Sequence, residues 1–143
     1  MDTGIKVGDC MKTPLITISE NASVYDAAKK MADHGIGSLL VEKNKSVKAI
    51  VTDYDLVEKA LAKKKTDMKI GQLASKPLVT ISPEKDLSEA ARKMGDSKIR
   101  HLVVMQGGKA VGMISSTDII RISPSLYDLI AQKQALEDRA RKN

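Results

Sequence analysis

The sequence predicts an α/β chain of the α+β kind, built from two β-α-β-β-α units related by a pseudo-twofold axis and packed through their sheets. Three observations predict it. First, the 143-residue chain repeats itself at a shift of 63: when residues 7–55 are set against 70–118, 15 of the 49 pairs are identical without a gap. Second, each copy carries a nearly continuous apolar run, Ser38-Leu39-Leu40-Val41 and His101-Leu102-Val103-Val104-Met105. Such runs suit strands buried on both faces. Third, each run follows an Ala-Ala-x-x-Met stripe at helical spacing, Ala27, Ala28 and Met31 in one copy and Ala90, Ala91 and Met94 in the other. One copy alone has three strands and too little to cover them, so one module built from both copies is expected.

The elements follow in order. Leu15–Ile18 after Pro14, and Leu78–Ile81 after Pro77, read as short strands. A helix starts near Ser23, which can cap free backbone N–H groups, with Asp26 three residues on; Asp86 and Glu89 mark the second start. Gly35 ends the first helix, and Lys98 stands in its place in the second copy. The apolar strands come next. Polar turns, 43–46 and 106–109, return the chain through the strands Val47–Thr52 and Ala110–Ser115. Short helices, Tyr54–Ala62 and Thr117–Ile122, close each unit. The repeats thus span 7–62 and 70–123. Residues 63–69 form a solvated linker, and 124–143 a C-terminal helical tail. In that tail Ser123-Pro124-Ser125 starts a helix, and Leu126, Leu129, Ile130 and Leu136 form a partial apolar stripe. Arg139, Arg141 and Lys142 suit its C-terminal end. The stripe fits either packing on the tail's own module or a partner contact.

Composition narrows the function classes. Hydrophobic residues at 42% and charged residues at 29% fit a globular protein. Only three aromatic residues occur, Tyr25, Tyr54 and Tyr127, so Ile, Leu, Val, Ala and Met must build the core. Lone Cys10 excludes an intramolecular disulfide and a multi-cysteine metal site, and His34 with His101 are too few for most histidine metal sites. No metal is expected. No apolar run is long enough to span a bilayer, and the first residues lack a signal-peptide apolar region, so a cytoplasmic location without membrane contact is the expectation. The net charge of +6 and the Lys63–Lys65 run admit an alternative function, a basic nucleic-acid-associated protein. The scarcity of aromatic rings argues against base stacking on single strands.

No phosphate loop, dinucleotide fingerprint, zinc-protease motif or nucleophile elbow occurs, and no spacing supports pairing His101 with Asp118 or Cys10 for catalysis. An enzyme is not expected. What recurs is a hydroxyl residue at the end of each last strand with an aspartate three residues on, Thr52 with Asp55 and Ser115 with Asp118. The pattern has two readings. It is close to a capping box, which terminates a helix and no more; Ser23 and Asp26 form another. It also suits a ribose clamp, because a carboxylate can accept both hydroxyls of a diol, while the hydroxyl side chain and free helix N–H groups can face a phosphate. A second feature is Arg100-His101 at the rim of the second buried strand. Arginine binds phosphate bidentately and histidine adds a proton-dependent contact. A surface ion pair of Arg100 with Asp96 is the simpler alternative. The first copy has Gly37 and Ser38 there, so the two copies are chemically unequal.

With these residues in hand, the chain resembles a tandem pair of CBS domains, a Bateman module. The resemblance lies in the paired Ala-Ala-x-x-Met helices, in Gly35-Ile36-Gly37-Ser38-Leu39-Leu40-Val41 and Ile99-Arg100-His101-Leu102-Val103-Val104, and in the endings Ala49-Ile50-Val51-Thr52-x-x-Asp55 and Gly112-Met113-Ile114-Ser115-x-x-Asp118. It covers about residues 6–123. The chain departs from the pattern at Ala49, where glycine is favoured, at Asn44-Lys45 opposite Gly107-Gly108, and at Leu40 and Val103, where proline is frequent. The resemblance implies a stand-alone, non-enzymatic ligand sensor that requires no cofactor. It binds AMP, ADP, ATP or S-adenosylmethionine as a regulatory ligand in clefts between the repeats and signals to an unidentified protein partner. It also implies that Asp55 and Asp118 hold ribose hydroxyls, with Thr52 and Ser115 near ribose and phosphate. Pro14, Leu15 and Ile16, and Pro77, Leu78 and Val79, would offer backbone to adenine. Arg100 and His101 would lie on the phosphate side, with Gly37 and Ser38 as weaker counterparts. A homodimer formed through helices is implied as well.

Overall fold

The computed structural model describes residues 2–74 and 78–131. They divide into two compact units, one formed by Ile16–Leu78 and the other by the segment ending at Leu15 together with the chain from Val79 onward. Each unit is a mixed α+β body with one three-stranded sheet.

In the unit Ile16–Leu78, β1 (Thr17–Ser19) leads through α1 (Val24–His34) to β2 (Ser38–Lys43), which turns back as β3 (Ser46–Thr52). The sheet order is β1-β2-β3, with β1 parallel and β3 antiparallel to β2. The helix forms where the apolar stripe and cap require it. Ser23 Oγ accepts the Asp26 N–H at 3.0 Å, and Asp26 Oδ2 accepts the Ser23 N–H at 3.4 Å. Gly35 ends the helix in the left-handed region at φ 62°. Regular pairing of β1 starts two residues later than the sequence suggests. The Ile16 carbonyl still accepts the Leu40 N–H at 3.1 Å. After β3, the chain makes one α turn, α2 (Asp53–Asp55), and opens into a wider π-helical segment, Leu56–Leu61. The Ala62 N–H reaches back five residues to the Val57 carbonyl. A further short helix, α3 (Ile70–Leu73), was not legible in the sequence. It buries Ile70 and Leu73 with Val24, Met31, Leu39, Val41 and Val51.

The second unit repeats this plan with β4 (Thr80–Ile81), α4 (Leu87–Ser97), β5 (His101–Gln106), β6 (Lys109–Ser115) and α5 (Ser116–Ile122), in the sheet order β4-β5-β6. Lys98 takes the same left-handed cap as Gly35, at φ 58°. A short 3-10 turn, Val7–Asp9, belongs to this unit, and Val7 is buried beside Leu87, Leu102 and Ile119. The lead-in segments are therefore exchanged. Residues opening the first repeat pack on the second, with Val7 N–H bound to Lys85 O and Gly8 N–H to Pro83 O, each at 2.9 Å. Residues opening the second repeat pack on the first, with Ile70 N–H bound to Ala22 O and Gly71 N–H to Glu20 O. Close approach explains the repeated glycine. A Cβ at Gly8 would stand 3.0 Å from Pro83 Cβ, and one at Gly71 would stand 3.1 Å from Glu20 Cβ.

Two further differences from the sequence reading come from tertiary packing. Ala28, placed in the buried stripe by its spacing, is exposed, whereas its counterpart Ala91 is fully buried. The reason is the tail. Leu126 and Ile130 enter the core that holds Ala91, and the Leu129 carbonyl crosses Gly95 one turn further along α4. The described part of the tail therefore packs on its own unit, while Leu129 and Tyr127 stay exposed. Leu136, Arg139, Arg141 and Lys142 lie outside the described residues. The segment 63–67 is exposed, and Met68 turns partly into the core of the unit Ile16–Leu78.

Two outcomes are expected. An ideal Cβ at Gly95 would lie 2.2 Å from the Leu129 carbonyl oxygen, so Gly95→Ala must push the tail off α4. The cost should be about 1–3 kcal/mol in a denaturant titration, the range for overpacking, with hydrogen exchange increasing around Ile130. The second outcome concerns Asp86, whose carboxylate accepts the N–H groups of Thr3, Gly4 and Ser88 and the hydroxyls of Thr3 and Ser88. The bonds from Ser88, then Thr3, hold its pKa well below the ordinary value of 3.8. A depressed carboxylate contributes stability that is complete above its unfolded pKa and is lost as pH falls through the folded one. The stability gap between the parent and Asp86→Ala should therefore be constant above about pH 5 and shrink progressively as pH falls from there into strong acid. A gap unchanged in strong acid would show that the anion is not what fastens Thr3 and Gly4.

Candidate functional site

The end of each antiparallel hairpin converts a buried strand into a helix, and polar groups gather there. In the first unit Thr52 is still extended, at φ −113° and ψ 163°. Its Oγ1 accepts the Asp55 N–H at 3.2 Å, and Asp55 Oδ2 accepts the Thr52 N–H at 3.0 Å. In the second unit Ser115 has the same conformation. Its Oγ accepts the Asp118 N–H at 3.1 Å, and Asp118 Oδ2 accepts the Ser115 N–H at 3.0 Å. Both pairs are complete capping boxes, so that reading of the pattern is realised. One oxygen of each aspartate is committed to it.

The other oxygen points to a lysine in both units. Asp55 Oδ1 lies 3.3 Å from Lys59 Nζ, one helical turn on, and Lys59 also donates to the Leu73 carbonyl at 3.0 Å. Asp118 Oδ1 lies 3.3 Å from Lys12 Nζ, which arrives from the other end of the sequence. Asp118 is 4% exposed, so its charge needs compensation that Asp26, on a helix surface, does not. A carboxylate offers about four lone-pair sites, so a cap bond and a lysine leave acceptor capacity on each aspartate for a diol.

The hairpin also delivers the other expected residues. Ser38 pairs with Thr52, and the Gly37 carbonyl accepts the Asp53 N–H at 2.9 Å. His101 pairs with Ser115, and the Arg100 carbonyl accepts the Ser116 N–H at 2.9 Å. The structure therefore brings Gly37, Ser38, Thr52 and Asp55 together in one unit. In the other it gathers Arg100, His101, Ser115 and Asp118. Arg100 is exposed, His101 half-buried and Ser38 buried. Ile16 lies beside β2 in the first unit, and Val79 beside β5 in the second, where its carbonyl accepts the Val103 N–H at 3.1 Å. Pro14, exposed, and Leu15, half-buried, belong to the second unit, and half-buried Leu78 to the first. Pro77 lies outside the described residues.

Three lysine roles escaped the sequence reading. Lys59 was within reach of it, since a lysine four residues after an aspartate on a helix is a standard ion-pair spacing. Lys12 had no local signal, being 106 residues from its partner in sequence. Lys30 and Lys93 were visible only as an identical pair of the repeat. Each donates to the carbonyl of a first-strand threonine, Thr17 and Thr80 respectively.

Cys10 is half-buried, and its thiol is raised above the ordinary value by burial first, with Asp9 and Asp118 pushing the same way. That is the opposite of what a thiolate nucleophile needs. Among the described residues, no three His, Cys, Asp or Glu side chains come together as a metal site, and no helix is long and apolar enough to cross a membrane.

Comparison with known proteins places this geometry. The CBS domain family model matches residues 7–62 and again 70–125. The uncharacterized protein MK0525 of Methanopyrus kandleri is 31% identical over 134 residues, which cover 90% of this chain and 68% of that protein. A CBS-domain structure from Burkholderia ambifaria has a TM-score of 0.74 at 30% identity, covering 78% of this chain and 84% of that one. The CBS domain pair of MJ0100, solved in complex with 5′-methylthioadenosine and S-adenosyl-L-methionine, has a TM-score of 0.76 at 28% identity, covering 84% of this chain and 96% of that one. The chain belongs to the CBS domain family and carries two such domains in tandem.

Proposed function

We propose that this CBS pair is a non-enzymatic regulatory module that binds an adenosyl ligand at the strand-to-helix junctions Thr52–Asp55 and Ser115–Asp118. The ligand class is AMP, ADP, ATP or S-adenosylmethionine. The observation that carries the reading is the repeated aspartate whose Oδ2 is fixed by a capping box while its Oδ1 pairs with a lysine. The rigid cap holds the carboxylate, and the remaining lone pairs take the ribose hydroxyls. The adenosyl complex of the similar MJ0100 pair supports the same class of ligand. Arg100 and His101 are the phosphate-side groups, with Gly37 and Ser38 their neutral counterparts. The backbone at Pro14, Leu15 and Ile16, and at Pro77, Leu78 and Val79, serves the base.

Occupancy becomes a signal if the ligand has different affinity for two states of the module, and the recipient is a protein partner. A homodimer is part of this reading. Tyr54, Val57 and Leu61 form an exposed apolar stripe beside the Asp55 junction and suit a second copy of the chain.

Calorimetry with AMP, ADP, ATP and S-adenosylmethionine tests the ligand class. A true ligand at 100 times its dissociation constant should stabilise the fold by about 2.7 kcal/mol. Neither heat nor a shift in unfolding temperature with any of the four would overturn the proposal.

Asparagine variants separate cap from clamp. Asp55→Asn and Asp118→Asn keep one acceptor for the Thr52 or Ser115 N–H but lose the anion. Each should remove one binding site or weaken it tenfold or more, since a charge-assisted hydrogen bond is worth about 1.5–3 kcal/mol. Loss of stability with full affinity at both sites would leave the aspartates as caps alone.

A further inference from the structure

We propose that Lys12 and Lys59 are specificity-determining residues that make both junctions selective for a phosphate-bearing adenosyl ligand. The proposal rests on the adenosyl reading and names the ligand class within it. Each lysine stands 3.3 Å from Oδ1 of its aspartate, the oxygen not used in the capping box. Yet the two are not copies of each other. The position 63 residues after Lys12 is Ser75, and the position 63 after Lys59 is Ile122. The repeat supplies the aspartate twice, whereas the cation reaches it from a lead-in segment in one unit and from the following helical turn in the other. The same charge arrangement is thus built by two unrelated routes.

Capping does not require it. Ser23 and Asp26 form the same reciprocal box, and among the described residues no lysine is paired with Asp26. What the cation changes is the charge that a ligand meets. A ribose held by a bare carboxylate places its 5′ substituent one sugar ring away from a negative charge, inside the screening length of about 8 Å at physiological salt. A phosphate there is repelled, and a sulfonium is attracted. With the lysine in place the carboxylate is neutralised, and the ammonium keeps N–H donors that can turn to a phosphate, two on Lys12 and one on Lys59, which also binds the Leu73 carbonyl. Neutral adenosine is indifferent to the change. Lys12 is free to act this way because its side chain is 64% exposed and its backbone, not its ammonium, is pinned to Met113.

Calorimetry on the full chain, with AMP, adenosine and S-adenosylmethionine as probes, tests this. Lys12→Met and Lys59→Met should each weaken AMP at one site by tenfold or more, and the double variant should do so at both. Adenosine should stay within about twofold, and S-adenosylmethionine should bind as well or better. Lys12→Arg should restore AMP. Equal losses for AMP and adenosine, or unchanged AMP affinity in the double variant, would overturn the selectivity while leaving the adenosyl reading intact. If the parent protein binds none of the probes, both fall together. Because Lys59 also holds the Leu73 carbonyl, Lys12→Met is the deciding variant should Lys59→Met fail to fold.

Discussion

The middle strand of each sheet is buried on both faces, and that constraint settles where polar chemistry can occur. Leu39, Leu40 and Val41 in β2, and Leu102, Val103 and Val104 in β5, are all essentially inaccessible. A backbone so placed must satisfy its hydrogen bonds with neighbouring strands, because no water reaches it. Polar side chains can emerge only at the strand ends. At one end the hairpin turns are exposed. At the other the chain passes from strand to helix, and Thr52 and Ser115 mark that passage. The concentration of Ser38, His101, Thr52, Ser115 and both aspartates at this end follows from burial of the rest.

The transition itself carries an electrostatic cost that the structure meets in two steps. A helix start leaves backbone N–H groups without partners, and the hydroxyl and carboxylate of each box answer one another's N–H groups. That introduces an anion at a largely buried position. Lys12 and Lys59 offset it. One side chain therefore serves two contacts: one oxygen of each aspartate completes the box, and the other pairs with a lysine.

Equivalent positions keep their geometry more faithfully than their chemistry. Gly35 and Lys98 both occupy the left-handed cap, although only glycine does so without steric cost. Asn44 and Lys45 adopt positive φ in their turn just as Gly107 and Gly108 do. The fold imposes the conformation, and tertiary packing absorbs local strain of the order of a kcal/mol. The flanks diverge more. The tail covers Ala91 and crosses Gly95, so α4 is buried on a side that α1 leaves open.

The sequence by itself determined the repeat, the order of strands and helices, the caps at Ser23, Thr52 and Ser115, and the identity of the two aspartates. These are local or periodic properties: a cap needs residues three apart, a buried strand needs an unbroken apolar run, and a copy needs only alignment. The family was legible for the same reason, since its motifs are short runs. The tertiary structure decided what depends on distant chain segments. It exchanged Val7–Asp9 and Ile70–Leu73 between the repeats, because Gly8 and Gly71 permit backbone contact that no pattern announces. It exposed Ala28 and buried Ala91, because burial depends on what covers a helix and not on its period. It also brought Lys12 to Asp118 across 106 residues, because an ion pair needs only proximity in space, and proximity is what folding creates.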